Sequence, residues 1–171
     1  MNTLFETGRS GSTASTHEWL TPPKLLQALG PFDLDPCAPV SRPWDIATRH
    51  YTINDDGLSK EWKGRVFCNP PYGHHAVKWL LKCAEHGDAT ALIFGRTDTR
   101  LWQDFIFKQA HALLFIKGRL RFYTTDGRAG NSAGAPSVLI AFDFSNALKL
   151  RTCGIDGMYL DLNVQRRALI G

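Results

Sequence analysis

Residues 66–75 read VFCNPPYGHH: a short apolar run followed at once by an asparagine, two prolines and a tyrosine. An apolar segment cut short by proline reads as a buried strand leaving its sheet through a stiff turn. Asn69 carries one carbonyl acceptor and one amide donor on its side chain. Proline has no N–H, so the Pro70-Pro71 step leaves its carbonyls free and holds the backbone rigid. Asn69 and the Pro70 carbonyl can therefore present two acceptors at fixed separation, and the matching partner is an exocyclic amine with two hydrogens. Such an amine is a poor nucleophile because its lone pair is delocalised into the ring. Accepting both protons favours a more tetrahedral nitrogen and concentrates the lone pair. The Tyr72 ring offers a flat face for a stacked base, a contact worth about 1–3 kcal/mol in nucleic-acid sites. The competing reading is a plain Pro-rich turn with Tyr72 in the core. The motif's position at a strand's carboxyl end favours the chemical one.

Outward from this turn the chain alternates strands and helices. Upstream, TPPKLLQALG is a short helix that Thr21 can cap, with Pro22 in its first turn, Leu25, Leu26 and Leu29 as its apolar stripe and Gly30 to end it. PFDLDPC is a short strand running into Pro36. Downstream, residues 75–86 have the helical period, with Ala76, Leu80 and Ala84 on one line. ATALIF is a buried strand and TRLWQDFIFKQA a helix that pairs Leu101 with Phe105 and Trp102 with Ile106. HALLFI and SVLIAFDF are two further strands with no helix between them, hence an antiparallel pair. The intervening KGRLRFYTTDGRAGNSAGAP reads as a basic, Gly/Ala-rich loop, and the chain from Arg151 onward is weakly patterned. This order predicts an α/β domain with a largely parallel sheet. Ligands of such sheets sit beyond the carboxyl ends of the strands, which gathers residues 35–37, 69–72 and 95–99 into one candidate site.

The 171 residues suffice for one domain with a real core. The polar N-terminal stretch lacks a signal-peptide pattern, and no apolar run approaches membrane-spanning length. Cys37, Cys68, Cys83 and Cys153 share no CxxC spacing, so no metal site, no disulfide framework and a cytoplasmic location are expected. The net charge is +4, and residues 96–128 alone carry seven basic against three acidic side chains. The bland explanation is a solvated face; a polyanionic partner gives it function. His74 and His75 follow the tetrad without metal-ligand spacing and read as a helix start.

The ordered set STHEWLTPPKLLQAL, FDLDPCA, DDGLSKEW, VFCNPPYG, GRTDTRLW, GRLRF and GAPSVLIAF resembles the small DNA N6-adenine methyltransferases of bacteriophages and prophages, relatives of Dam-type enzymes. The likeness runs from about Ser15 to Phe144. It implies an α/β, Rossmann-like, S-adenosylmethionine-dependent methyltransferase: a mostly parallel sheet with an antiparallel terminal strand, in a single domain over 19–171 behind a flexible arm of residues 1–18. It implies that Asn69, Pro70, Pro71 and Tyr72 are catalytic. Asp35, Pro36 and Cys37 take the place of the first cofactor loop, Trp19, Thr21 and Pro22 that of the segment closing over the cofactor's methionine end, and Asp56, Gly57 and Leu58 that of the adenosine side. Asp35 can instead merely cap a turn before Pro36. Asp45 and Asp56 compete to hold the cofactor ribose. The substrate implied is double-stranded DNA, with the target adenine flipped out of the stack. Arg96, Arg100, Lys117, Arg119, Arg121 and Arg128 then meet phosphates, while Asp98 and Thr99 either face the base or cap the next helix. Without a large recognition domain, sequence readout falls to loops such as 126–134, the arm or the second subunit of a homodimer. The rival expectations are the same chemistry on cytosine N4, an RNA base or a protein glutamine, and a non-catalytic DNA-binding module with this fold.

Overall fold

The computed structural model describes residues 18–71 and 73–163. The N-terminal arm up to residue 17 and Tyr72 therefore lie outside the described residues. Helix α1 (Pro23–Leu29) leads into strand β1 (Leu34–Asp35), and β2 (Arg49–His50) follows a loop with no helix in it. Strand β3 (Val66–Cys68) ends at the Asn-Pro-Pro turn. A 3₁₀ turn (Gly73–His75) then runs into α2 (Ala76–His86), which places both histidines at a helix start as expected. Strand β4 (Ala89–Phe94) is followed by a helical segment wound as π over Leu101–Ile106 and as α3 over Phe107–Gln109. Strands β5 (Ala112–Ile116), β6 (Arg121–Tyr123), β7 (Ala129–Ser132) and β8 (Ser137–Ala141), helix α4 (Phe144–Thr152) and strand β9 (Gly157–Asp161) complete the order.

Seven strands form one sheet in the order β2-β1-β3-β4-β8-β5-β9. β1 to β4 pair in parallel. β8 lies antiparallel between β4 and β5, and β9 is an antiparallel edge against β5. The mostly parallel sheet and the antiparallel β5–β8 pair agree with the sequence reading.

Strand alternation divides the core. Val66, Cys68, Ala91, Ile93 and Leu113 face α2 and the π-wound segment. Phe67, Leu92, Leu114 and Leu139 face α1 and α4 with Leu25, Leu29 and Leu150. Each large side chain so enclosed contributes about 1.5–3 kcal/mol of burial free energy.

Several local expectations are corrected. Pro22, not Thr21, occupies the N-cap of α1, and no side chain among the described residues caps it; Thr21 is buried and its hydroxyl has no partner among the described residues. Neither Asp98 nor Thr99 caps the helical segment, because Arg100 stands at that position and the Thr99 hydroxyl donates back to the Arg96 carbonyl. The segment is wound wider than an α-helix, with Trp102 pinned by its indole N–H to the Phe94 carbonyl at 3.1 Å. Strand β8 stops at Ala141 because Asp143 turns the chain to cap α4. The supposed loop 117–136 contains the β6–β7 hairpin, and the weakly patterned tail contains β9.

Candidate active site

Because β1, β3, β4 and β5 share one direction, the segments that follow them emerge at one end of the sheet. That end carries the loop after Asp35, the Asn69 turn, residues 95–100 and the hairpin.

A cleft of about 430 Å³ opens there, lined by Trp19, Pro36, Cys37, Asn69, Pro70 and Pro71 among others. Its volume falls in the range of small-molecule sites. A smaller recess beside it is lined by Asp35, Thr21, Arg42 and Trp44, and shares Trp19, Cys37 and Asn69 with the cleft. Of the predicted catalytic and cofactor-side residues, Asn69, Pro70, Pro71, Trp19, Thr21, Asp35, Pro36, Cys37, Asp56 and Gly57 line these two spaces.

Asn69 joins the two spaces. Its side-chain Nδ2 donates to the Trp19 carbonyl at 3.2 Å, while its Oδ1 is enclosed and has no hydrogen-bond partner among the described residues. None of the described residues donates to the Pro70 carbonyl. An enclosed acceptor without a donor costs about 1–3 kcal/mol, which a ligand bearing N–H groups would return. Cys37 holds the turn from behind: its thiol donates to the Asn69 carbonyl at 3.2 Å and its sulfur lies 3.7 Å from that of Cys68. Against the lowering contact with Cys68, burial and the neighbouring Asp35 raise its pKa above the ordinary thiol value.

Asp35 is 5% exposed and accepts the Cys37 backbone N–H at 3.1 Å, so it does close the local turn. Burial pushes its pKa up to about 7; the Cys37 N–H and the Arg42 charge pull only partly the other way. A buried carboxyl held near neutrality ionises readily when a cation arrives beside it.

The two ribose candidates separate. Asp56 lines the cleft, in the left-handed conformation with φ 52°. Asp45 does not line it; it is exposed and paired with Arg42 at 2.8 Å. Gly57 sits against the loop after β1, where a Cβ would lie 2.0 Å from the Pro36 carbonyl oxygen. Leu58 is half-buried behind it, its carbonyl held by Lys82 Nζ, and does not reach the cleft. Nor does Pro22, at the start of α1.

The cleft also uses residues that the sequence reading passed over. Ile53, in the loop after β2, is 82% exposed and forms part of its wall. Trp79 of α2 forms another part, stacked 6.3 Å from Trp62. An aromatic off the Ala76–Leu80 line was the one signal for it.

The basic residues flank the same end. Arg96, Asp98 and Arg100 after β4, Lys117 and Arg119 after β5, and Arg121 on β6 are exposed, and Thr99 is half-buried. No ion pair holds these cations among the described residues. Arg128 differs, because Asp126 grips it at 2.6 Å across the hairpin turn. The hairpin is tied to the cleft by Leu20, which exchanges backbone hydrogen bonds of 2.8 and 2.9 Å with Tyr123. Among the described residues no three His, Cys, Asp or Glu side chains are placed to hold a metal ion. No described helix is long and apolar enough to cross a membrane.

With this geometry in view, comparison with known proteins gives a family. The family model for DNA N-6-adenine-methyltransferase (Dam) matches residues 10–152. The chain belongs to the Dam family. Neither the curated proteins nor the solved structures yielded a match. Dam membership implies methylation of adenine N6 in DNA, and the matched span takes in every part of the cleft and the hairpin.

Proposed function

We propose that the chain transfers a methyl group from S-adenosylmethionine to N6 of an adenine flipped out of double-stranded DNA. The observation that carries this reading is the unpartnered Oδ1 of Asn69, enclosed beside a cleft of cofactor size in a chain of the Dam family. The sheet supports it as a Rossmann-like methyltransferase sheet, with an antiparallel strand between β4 and β5.

The residues present fit the cofactor. The cleft is mainly apolar with a few polar groups, as such sites are. Asp35 would accept from the donor's ammonium group, which would draw its carboxyl from near neutrality into the ionised form. Asp56 is the candidate for the ribose hydroxyls, with Gly57 allowing close backbone packing behind it. When bound, the donor supplies an electrophilic methyl group.

The chain's own part is recognition and positioning. Exposed cations at the rim meet phosphates, an attraction that weakens as salt rises. Extruding the base costs a few kcal/mol. Stacking on Tyr72 and hydrogen bonds from the amine to Asn69 Oδ1 and the Pro70 carbonyl offset that cost. The same two bonds make the nitrogen more nucleophilic and aim it at the donor side of the cleft, so catalysis is chiefly orientation in a site shielded from water. No strong base is needed beforehand, since the amine proton becomes acidic only as the new bond forms. The reaction takes place in the cytoplasm, where the DNA lies.

The test uses tritiated donor and duplex DNA from a methylation-free host, with nucleosides separated after digestion. Label in N6-methyladenine is expected. Label confined to methylcytosine, RNA or protein overturns the adenine assignment, and absence of donor binding by calorimetry with DNA present overturns the enzyme.

A further inference from the structure

The Asn69 amide has two ways to face its neighbours, and only one suits an incoming amine. The group lying against it is a backbone carbonyl, that of Trp19, at 3.2 Å from Nδ2. A carbonyl oxygen can only accept, so it requires the nitrogen on its side and turns Oδ1 the other way. Trp19 is itself held from outside the sheet. Its neighbour Leu20 extends the β6–β7 hairpin through paired hydrogen bonds to Tyr123. Its indole lies against Gly130 of β7, where a Cβ would come within 2.7 Å of the ring and 3.0 Å of the Phe122 carbonyl. Trp44 meets the Tyr123 ring edge-on at 5.3 Å and so also touches the hairpin.

We propose that Trp19 is a positioning residue: its carbonyl selects the orientation of the Asn69 amide, and the β6–β7 hairpin holds that carbonyl in place. The inference rests on the adenine-methylating role of Asn69 and adds to it a link between catalysis and the basic hairpin that carries Arg121. The selecting device is chemical, not steric. It demands a hydrogen-bond donor at position 69 on the Trp19 side and an acceptor on the other.

Asn69→Asp preserves size and keeps acceptors for the amine but presents only acceptors to the Trp19 carbonyl at neutral pH. Its kcat at saturating donor and DNA is expected to fall roughly 100-fold, as for loss of one precisely placed polar contact. Acidification restores an O–H to the carboxyl, so the ratio of variant to wild-type kcat is expected to climb toward low pH, by up to about tenfold per unit. A ratio that stays flat or declines with acidification overturns the proposal, as does an Asn69→Asp enzyme with wild-type kcat at neutral pH.

A second arm needs no turnover. In ¹⁵N-labelled protein the Asn69 side-chain amide is expected to exchange slowly with solvent, and Gly130→Val, which displaces the Trp19 ring, to speed that exchange at least tenfold. Equal exchange in both proteins overturns the link to the hairpin. Failure of the underlying activity looks different: wild-type protein leaves DNA unlabelled while its Asn69 amide stays protected.

Discussion

The two ends of the sheet contrast in how their polar groups are used. At the amino end, Arg65 donates to the Asn146 side chain at 2.8 Å and to the Leu29 and Pro31 carbonyls at 2.7 and 3.0 Å. Asn146 in turn accepts from Thr90 and donates to Asp88 and Asp143, and Arg65 lies over the Phe32 ring at 4.5 Å. These groups are spent largely on one another and lock α4 to β3 and β4. At the carboxyl end, among the described residues, Asn69 Oδ1, the Thr21 and Ser137 hydroxyls and the Trp44 indole N–H are enclosed without partners, Asp35 is held near neutrality, and the flanking cations other than Arg128 are in no ion pair. Buried polar groups are normally satisfied. The amino end thus ties most of its polar groups into one network, although Arg65 Nη2 and His111 Nδ1 are enclosed without partners among the described residues, while at the carboxyl end Thr21, Trp44 and Asn69 bring unpartnered polar atoms to one recess.

Four variants test whether this division is real. The largest effect belongs to Asn69→Ala, which should lower methyl transfer by about 10²–10³-fold while donor binding, followed by calorimetry, changes little. Loss of donor binding in parallel would make Asn69 a cofactor residue and blur the division of the rim. Next, Asn146→Ala leaves Asp88, Asp143 and Arg65 without their shared partner. It should cost about 2–4 kcal/mol of stability in denaturant unfolding, with transfer per folded molecule unchanged. A change in turnover at constant fold would show that the amino end is not purely structural.

A smaller effect is expected from Lys117→Ala, Arg119→Ala and Arg121→Ala combined. The slope of log affinity for DNA against log salt should fall by about 2–3 in a filter-binding or anisotropy titration. An unchanged slope would remove these cations from the interface. The fourth concerns Asp35. Its folded carboxyl titrates near 7 against an ordinary value near 3.8. Donor affinity should therefore rise between about pH 5 and 7 as the carboxylate forms, and Asp35→Asn should flatten that rise. The same shift acts on stability with the opposite sign. A raised acid pKa means that the folded state binds the proton more tightly, so stability falls as pH rises from about 4 to 7 and then levels off. Asp35→Asn should remove that slope in unfolding experiments.

How far the sequence reveals these two ends depends on what each residue's role requires. The Asn-Pro-Pro turn was legible because strand, breaker and acceptor geometry all lie within a few residues. The strands β3, β4, β5 and β8 declared themselves by unbroken apolar runs. The hairpin did not, since its alanines and glycines hide the alternation, although Asp126-Gly127 with Gly127 at φ 84° is a hairpin turn signal in retrospect. Strand β9 escaped because Met158, 70% exposed at the sheet edge, gives no buried face to read. That Asp45 pairs with Arg42 while Asp56 lines the cleft is a matter of space that sequence spacing does not show. The hold of Trp19 on Asn69 joins a backbone carbonyl to a side-chain amide across 50 residues, and the identity of residue 19 does not encode it.

Gly57 has a practical corollary. Because main chain meets main chain there, with no room even for a methyl group, that wall of the cleft resists remodelling. Anyone wishing to enlarge the cleft should carve instead at Ile53 or Trp79, whose side chains also line it.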